Sequence, residues 1–338
     1  MTQEAALEEA LSRPTPAVVE AMAVLPGDIM LLGAGGKMGP SLARLSRRAS
    51  DQAGIRRRVI AVARFSEAGL AAGLEADGIE TIACDLFDRG RLAELPDAPN
   101  LVYMAGQKFG TTGEEARTWA VNAVLPGIVA ERFPGARIVA FSTGNVYPLW
   151  PADSDGPVET DPVGPVGEYA QSALARERVL EFYARRNGTG MALLRLNYAV
   201  EPRYGVLRDI ADRVRAGAPV SLAMGRVNVI WQRDANAIAL RALSHCATPP
   251  LVLNVTGRPS YPVRYLATEF GRRWNREPEF EGRSSESALL SNPSHCERLF
   301  GPPETGIGEM IDRVAEWVEQ GGRALNKPTH FETRDGKF

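Results

Sequence analysis

Residues 29–40, IMLLGAGGKMGP, constrain the fold of this chain more than any other stretch. Ile29 to Leu32 form a short apolar run that reads as a buried strand. Gly33, Gly36 and Gly39 follow at three-residue spacing. Residues 41–50 then carry Leu42 and Leu45 among polar side chains, a helical pattern. Strand, glycine turn and helix in that order are the setting of a dinucleotide fingerprint. Gly33 allows the tight turn, Gly36 the approach of a pyrophosphate, and Gly39 the packing of helix on strand. Lys37 and Met38 complete the turn and join the candidate cofactor contacts. The first helical N–H groups and the positive dipole end suit phosphate.

Further apolar runs follow at 59–63, 81–84, 101–104, 137–141 and 192–196. Helical patterns at 117–129 and 169–186 alternate with them. Continuous apolar strands alternating with helices predict a parallel sheet covered on both faces. Such a sheet binds ligands beyond the carboxyl ends of its strands. The expected fold is therefore α/β, a Rossmann-type doubly wound parallel sheet. Beyond residue 197 proline, glycine and arginine increase and the alternation loosens. This half predicts a smaller substrate lobe, interleaved with the sheet domain, with helices near 210–215, 235–243 and 309–319 and a strand at 251–255. The expected organisation is a helical extension (1–27), a dinucleotide-binding domain (28–197), the substrate lobe (198–320) and a tail (321–338). The tail is polar and reads as a dimer arm or a loosely ordered end.

With 338 residues, 44% hydrophobic and 24% charged, the chain can bury a large core. A net charge of −2 implies no nucleic-acid face. Arg56, Arg57 and Arg58 read as a solvated approach to the second strand. Cys84, Cys246 and Cys296 are too scattered for a disulfide frame or a zinc site, which suits a reducing cytoplasm. No run reaches membrane-span length.

The chemistry-bearing residues follow the strands. FSTGNVY (141–147) succeeds the fifth, and Tyr169 opens the long helix. Tyr169 can exchange a proton with a substrate oxygen that the Thr143 hydroxyl orients. The same residues also read as a hydroxyl-rich turn and a half-buried helix tyrosine. Candidate substrate ligands are Gln107 and Lys108 after the fourth strand, Asn145, Tyr198, Arg203 and Trp231. The arginines suit a carboxylate or phosphate, or else a solvated surface.

Over residues 28–260 the chain resembles the extended short-chain dehydrogenase/reductase family, which contains NAD(P)-dependent epimerases and dehydratases of sugar nucleotides. The resemblance rests on Gly33, Gly36 and Gly39, on Asp85 with Leu86, on Ala105 and Gly106, on Asn122, on Thr143 four residues before Tyr147, on Tyr169, Ser172 and Glu177, and on Arg195 with Asn197. It implies cofactor contacts at Asp85, Leu86, Ala105, Gly106, Asn122, Tyr169 and Asn197. It also implies a hydroxyl or ketone of a sugar-like substrate, and a homodimer formed through the two long helices. The family carries a lysine four residues after the tyrosine, holding the nicotinamide ribose and lowering the tyrosine pKa; this chain has Ala173. Tyr169 is then expected to titrate near the reference of about 10 unless another cation helps. Lys108 is the candidate substitute, one of only four lysines. Loss of the family lysine leaves a second reading open, a cofactor-binding sensor with impaired catalysis. At the end of strand two, Ala63 and Arg64 stand where NAD-preferring members place an acid. A guanidinium there favours NADP, with NAD possible.

Overall fold

The computed structural model describes residues 2–108, 110, 113–327 and 329–337. Met1, Pro328 and Phe338, which fall in the expected extension and tail, lie outside these residues. The chain divides into two compact units: residues 1–142, 172–194 and 236–253 form the first, and residues 143–171, 195–235 and 254–338 the second. The division therefore follows the strand ends instead of a single cut at 197. The chain leaves the first unit near the carboxyl end of one strand after another.

The first unit holds a seven-stranded sheet. Its strands are β1 (Ile29–Leu32), β2 (Val59–Ala63), β3 (Glu80–Ala83), β4 (Asn100–Tyr103), β5 (Arg137–Thr143), β6 (Met191–Leu196) and β7 (Leu251–Val255), in the spatial order β7-β6-β5-β4-β1-β2-β3. The central pairings are parallel, with Ile29 beside both Val59 and Asn100. Every residue of β1 and β2 is buried, the physical reason these strands read as unbroken apolar runs. Met30, Leu32, Ile60, Val62, Leu101, Tyr103 and Ile138 belong to one core cluster.

Helices Gln3–Ser12 and Pro16–Val24 pack on the helix that follows the glycine turn, Gly39–Gln52. Arg44 ties this arrangement to Glu8 at 3.0 Å. Arg57 departs from the solvated reading. It is 7% exposed, and its Nη2 donates to the carbonyls of Met22 and Leu25, the end of the second helix. Arg58 instead grips Glu80 through two bonds of 2.9 and 2.8 Å.

The predicted 117–129 helix is an α-helix Glu115–Trp119, a π-helical turn Ala120–Val124 and an α-helix Leu125–Arg132. Proline explains the break. In an α-helix the N–H of residue 126 would bond the Asn122 carbonyl, and Pro126 has none. That carbonyl accepts from Arg176 Nε at 3.3 Å instead.

In the second unit, helices Val206–Ala216, Val263–Trp274 and Ile307–Glu319 pack together. The tail is docked on this unit, contrary to the loose or arm-like expectation. Phe331 is 3% exposed. Thr329 donates N–H and Oγ1–H to Asp209, and Arg334 donates to Ser287 and Ala223. A buried aromatic and these bonds outweigh the polar composition that suggested disorder. Among the described residues no helix is long and apolar enough to cross a membrane.

Candidate active site

The first unit holds the glycine turn and most of the candidate cofactor residues. A side chain at Gly39 would place its Cβ 2.2 Å from the Ala34 carbonyl oxygen. At Gly33, with φ +89°, a Cβ would lie 2.6 Å from the Ala105 nitrogen. Both glycines are thus sterically obligatory. Gly36 is different: it is exposed, and a Cβ there meets nothing closer than 3.6 Å. The turn is closed on the protein side and open at its middle glycine. No side chain caps the helix start at Met38, so its first N–H groups lack the usual side-chain partner. These features fit a dinucleotide pyrophosphate. Lys37 is half-buried and Met38 buried beside them.

Arg64 follows β2 and is exposed, with no ion pair among the described residues. Asp85 is exposed, and its Oδ1 accepts from the Phe87 N–H at 3.0 Å, while Leu86 is buried. Ala105 is half-buried and Gly106 exposed after β4.

Asn122, in the π turn, is completely engaged. Its Nδ2 donates to the Gln107 carbonyl at 2.9 Å and to Ser172 Oγ at 3.0 Å. Its Oδ1 accepts from Gln107 N–H at 2.9 Å and from Arg176 Nη2 at 2.7 Å. Two donors and two acceptors exhaust the carboxamide. Asn122 therefore shapes the loop after β4 instead of offering a free group to a cofactor. Gln107 is fixed by this exchange, and its neighbour Lys108 is half-buried.

Sequence reasoning passed over Arg176. It lies on the tyrosine helix, Gly167–Asn187, and is 7% exposed. Its Nη1 donates to the Phe141 carbonyl at 2.7 Å, and its Nη2 lies 2.7 Å from where a Cβ on Gly106 would stand. Among the described residues it makes no ion pair. Its signal was present: an arginine in the buried stripe Ser172, Ala173, Arg176, Leu180. Ala173, in place of the family lysine, is 1% exposed. Glu177 accepts from Ser142 Oγ at 2.5 Å and so anchors the helix to β5.

The second unit holds the candidate hydroxyl residues Thr143 and Tyr169. Thr143 is 6% exposed; its Oγ1 donates to Asn145 Oδ1 at 3.0 Å and accepts from Asn145 N–H at 3.2 Å. These two candidates are brought together. Tyr169 is half-buried in the first turn of its helix, near enough to Tyr204 to interact electrostatically. Burial pushes the Tyr198 and Tyr204 phenols well above the usual tyrosine range, so both remain neutral donors at pH 7. Tyr198 takes a left-handed backbone at φ +45°. Asn197 is buried, donating to Asn228 Oδ1 at 3.0 Å.

Two substrate candidates have structural roles. Arg203 is ion-paired at 3.1 Å with Glu201, itself fully buried, so its charge is already matched. Trp231 is 2% exposed beneath the Arg313 guanidinium. A network the sequence did not reveal centres on Tyr147. Its hydroxyl accepts from Arg195 Nη1 at 2.7 Å and donates to Asn254 Oδ1 at 2.9 Å. Burial raises the Tyr147 pKa despite the Arg195 cation, so this phenol does not ionise near neutrality. No cluster of metal-ligating side chains occurs among the described residues.

A glycine turn between strand and helix on a parallel sheet defines a dinucleotide-binding α/β class. The family model of the NAD dependent epimerase/dehydratase family matches residues 29–255, and the chain belongs to that family. Solved structures share its fold. UDP-glucose 4-epimerase of Thermotoga maritima, determined with UDP-glucose, has TM-score 0.71 at 17% identity, covering 87% of this chain and 99% of that one. UDP-glucuronic acid 4-epimerase of Bacillus cereus, with UDP-glucuronic acid and NAD, has TM-score 0.72 at 14% identity and the same coverages. The dTDP-glucose 4,6-dehydratase of Streptomyces venezuelae, with NAD bound, has TM-score 0.73 at 17% identity, covering 87% and 97%. A search of curated protein sequences returned no significant match.

Proposed function

We propose that this protein is an NAD(P)-dependent oxidoreductase, epimerase or dehydratase acting on a hydroxyl or ketone of a sugar nucleotide. The observation that carries this reading is the glycine turn, closed at Gly33 and Gly39 and open at Gly36, in a family named for NAD dependence. The substrate class is carried over from the nucleotide sugars in the related structures. When bound, the nicotinamide exchanges a hydride with the sugar carbon. Tyr169 takes or returns the proton on the sugar oxygen, and the Thr143 hydroxyl, aligned by Asn145, orients that oxygen. Gln107, Lys108, Asn145 and Tyr198 are the proposed substrate ligands. Lys108 supplies the cation that Ala173 does not. The test is incubation with cofactor and UDP-glucose, UDP-glucuronic acid or dTDP-glucose, followed by product analysis. Cofactor binding with no turnover of any nucleotide sugar would favour the sensor reading.

Arg64 directs the cofactor preference. An exposed guanidinium at the end of β2 suits the 2′-phosphate of NADP. NADPH should bind more tightly than NADH in an energy-transfer titration. Arg64→Ala should weaken NADPH by about 1.5–3 kcal/mol and leave NADH nearly unchanged. Equal affinities in the parent would remove Arg64 from the cofactor site.

The homodimer remains part of the proposal. Val124 and Phe182 are each 56% exposed on the two long helical segments, which meet closely at Gly127 beside Val179 and Tyr183. Two apolar side chains on adjacent helices suit a self-complementary two-fold patch. Light scattering at micromolar concentration should give a dimer mass, and Phe182→Glu a monomer. A monomeric parent rejects the patch.

A further inference from the structure

We propose that the segment 329–337 is a built part of the second unit's site, in which Gly336 positions Tyr169 by backbone contact with Gly167. The inference rests on the reading of Tyr169 as the proton-transfer residue.

Gly167 and Gly336 both have left-handed backbones, at φ +82° and +73°. A Cβ on Gly167 would lie 2.4 Å from the Gly336 carbonyl oxygen. A Cβ on Gly336 would lie 2.2 Å from the Val166 carbonyl oxygen and 2.8 Å from Gly167 Cα. The two backbones touch with no room for a side chain on either. Gly167 is the first residue of the tyrosine helix and Tyr169 the third. First turns lack intrahelical partners for their N–H groups and open most readily. A first turn that must hold a reacting phenol therefore needs lateral support, and Gly336 supplies it.

The segment is anchored well enough to serve. Thr329 is 2% exposed, with its N–H bonded to Asp209 Oδ2 at 2.8 Å. Arg334 Nη1 donates to the Ser287 carbonyl at 2.7 Å, and Nη2 to Ser287 Oγ at 2.8 Å. Phe331 is buried between these anchors in sequence. Asp209 also interacts electrostatically with Tyr204, as Tyr169 does, and Glu332 acts on Tyr198. The segment thus reaches the surroundings of Tyr198 and Tyr204 as well as the start of the Tyr169 helix.

The test is Gly336→Val in the full chain, with Lys337→Ala, an exposed neighbour, as control. Hydrogen exchange of amides 166–171 should accelerate about tenfold in Gly336→Val and stay parental in the control. The Tyr169 Cζ resonance in tyrosine-labelled protein, assigned by its loss in Tyr169→Phe, should move in Gly336→Val alone. NADPH binding should be largely retained, because the glycine turn lies in the first unit. A chain ending at Lys327 should reproduce the Gly336→Val signature. Added synthetic peptide 329–338 should restore the parental resonance, and the same peptide with Gly336→Ala should not. Unchanged exchange at 166–171 in Gly336→Val overturns the proposal, whether or not the segment stays docked. A moved resonance that the wild-type peptide fails to restore overturns it as well. These readouts need no substrate. If Tyr169→Phe turns over like the parent, the functional reading fails while the positioning result stands by itself.

Discussion

Tyr169→Phe should bind NADPH like the parent and lose about 10²–10⁴-fold in turnover, the usual contribution of a positioned general acid or base. Phenylalanine keeps the ring and removes only the proton-carrying oxygen, so the fold of the helix start is preserved. The loss should depend on direction. Reduction of a ketone needs the protonated phenol, the predominant form at neutral pH for a tyrosine of reference pKa. Oxidation needs the tyrosinate, about one part in a thousand at pH 7 for a tyrosine of reference pKa about 10. A nearby ammonium shifts that balance toward the anion. Lys108→Ala should therefore slow oxidation more than reduction and move the basic limb of the rate–pH profile upward, with cofactor affinity retained. Parental turnover in Tyr169→Phe would refute the mechanism. An unmoved profile in Lys108→Ala would remove only the lysine and leave the Thr143–Tyr169 pair. Thr143 has a restricted role in this scheme, because Asn145 already holds its hydroxyl from two sides.

The parts of this site legible in the sequence are those where backbone sterics decide. Gly33 and Gly39 are forced by contacts with Ala105 and Ala34, and any glycine turn of this spacing between strand and helix announces them. β1 and β2 were legible because burial on both faces leaves no polar position. The π turn was not. Residues 117–129 have helical periodicity throughout, and only the Pro126–Asn122 relation, which needs the Arg176 partner to complete it, marks the insertion. Charged side chains were the least legible. Arg57 and Arg203 look the same on paper as Arg58 and Arg64. What separates them is whether a buried partner meets them in the fold: the Met22 and Leu25 carbonyls for Arg57 and Glu201 for Arg203, against an exposed Glu80 for Arg58. The docked tail was missed for the same reason, since Asp209 and Ser287 are distant in sequence from Thr329 and Arg334.

Arg176→Met should lower stability by about 1.5–3 kcal/mol, the range for losing hydrogen bonds from a charged donor and leaving neutral acceptors buried. The guanidinium joins three segments of the first unit. It bonds Phe141 on β5 and both carbonyl oxygens of Asn122 in the π turn, and it lies against Gly106 after β4. Hydrogen bonds to a charged group contribute about 1.5–3 kcal/mol each, and two of these are 2.7 Å long. Methionine fills much of the volume and removes the guanidinium donors from the Phe141 and Asn122 oxygens, leaving Asn122 Oδ1 with the Gln107 N–H alone. Arg176→Lys should recover only part of the loss, because one ammonium cannot reproduce a planar fork that serves two separated acceptors. Urea denaturation gives the ranking directly. A cycle with Asn122→Ala tests the cause: the double variant should lose less than the sum of the two singles, since both remove the bond from Arg176 Nη2 to Asn122 Oδ1. Additive losses, or a loss under about 1 kcal/mol for Arg176→Met, would mean that the pair does not act as a unit. The consequence for function would then be loop-specific. Asn122 holds Gln107 through paired backbone bonds, so freeing it should raise hydrogen exchange at 106–108 before the sheet itself opens.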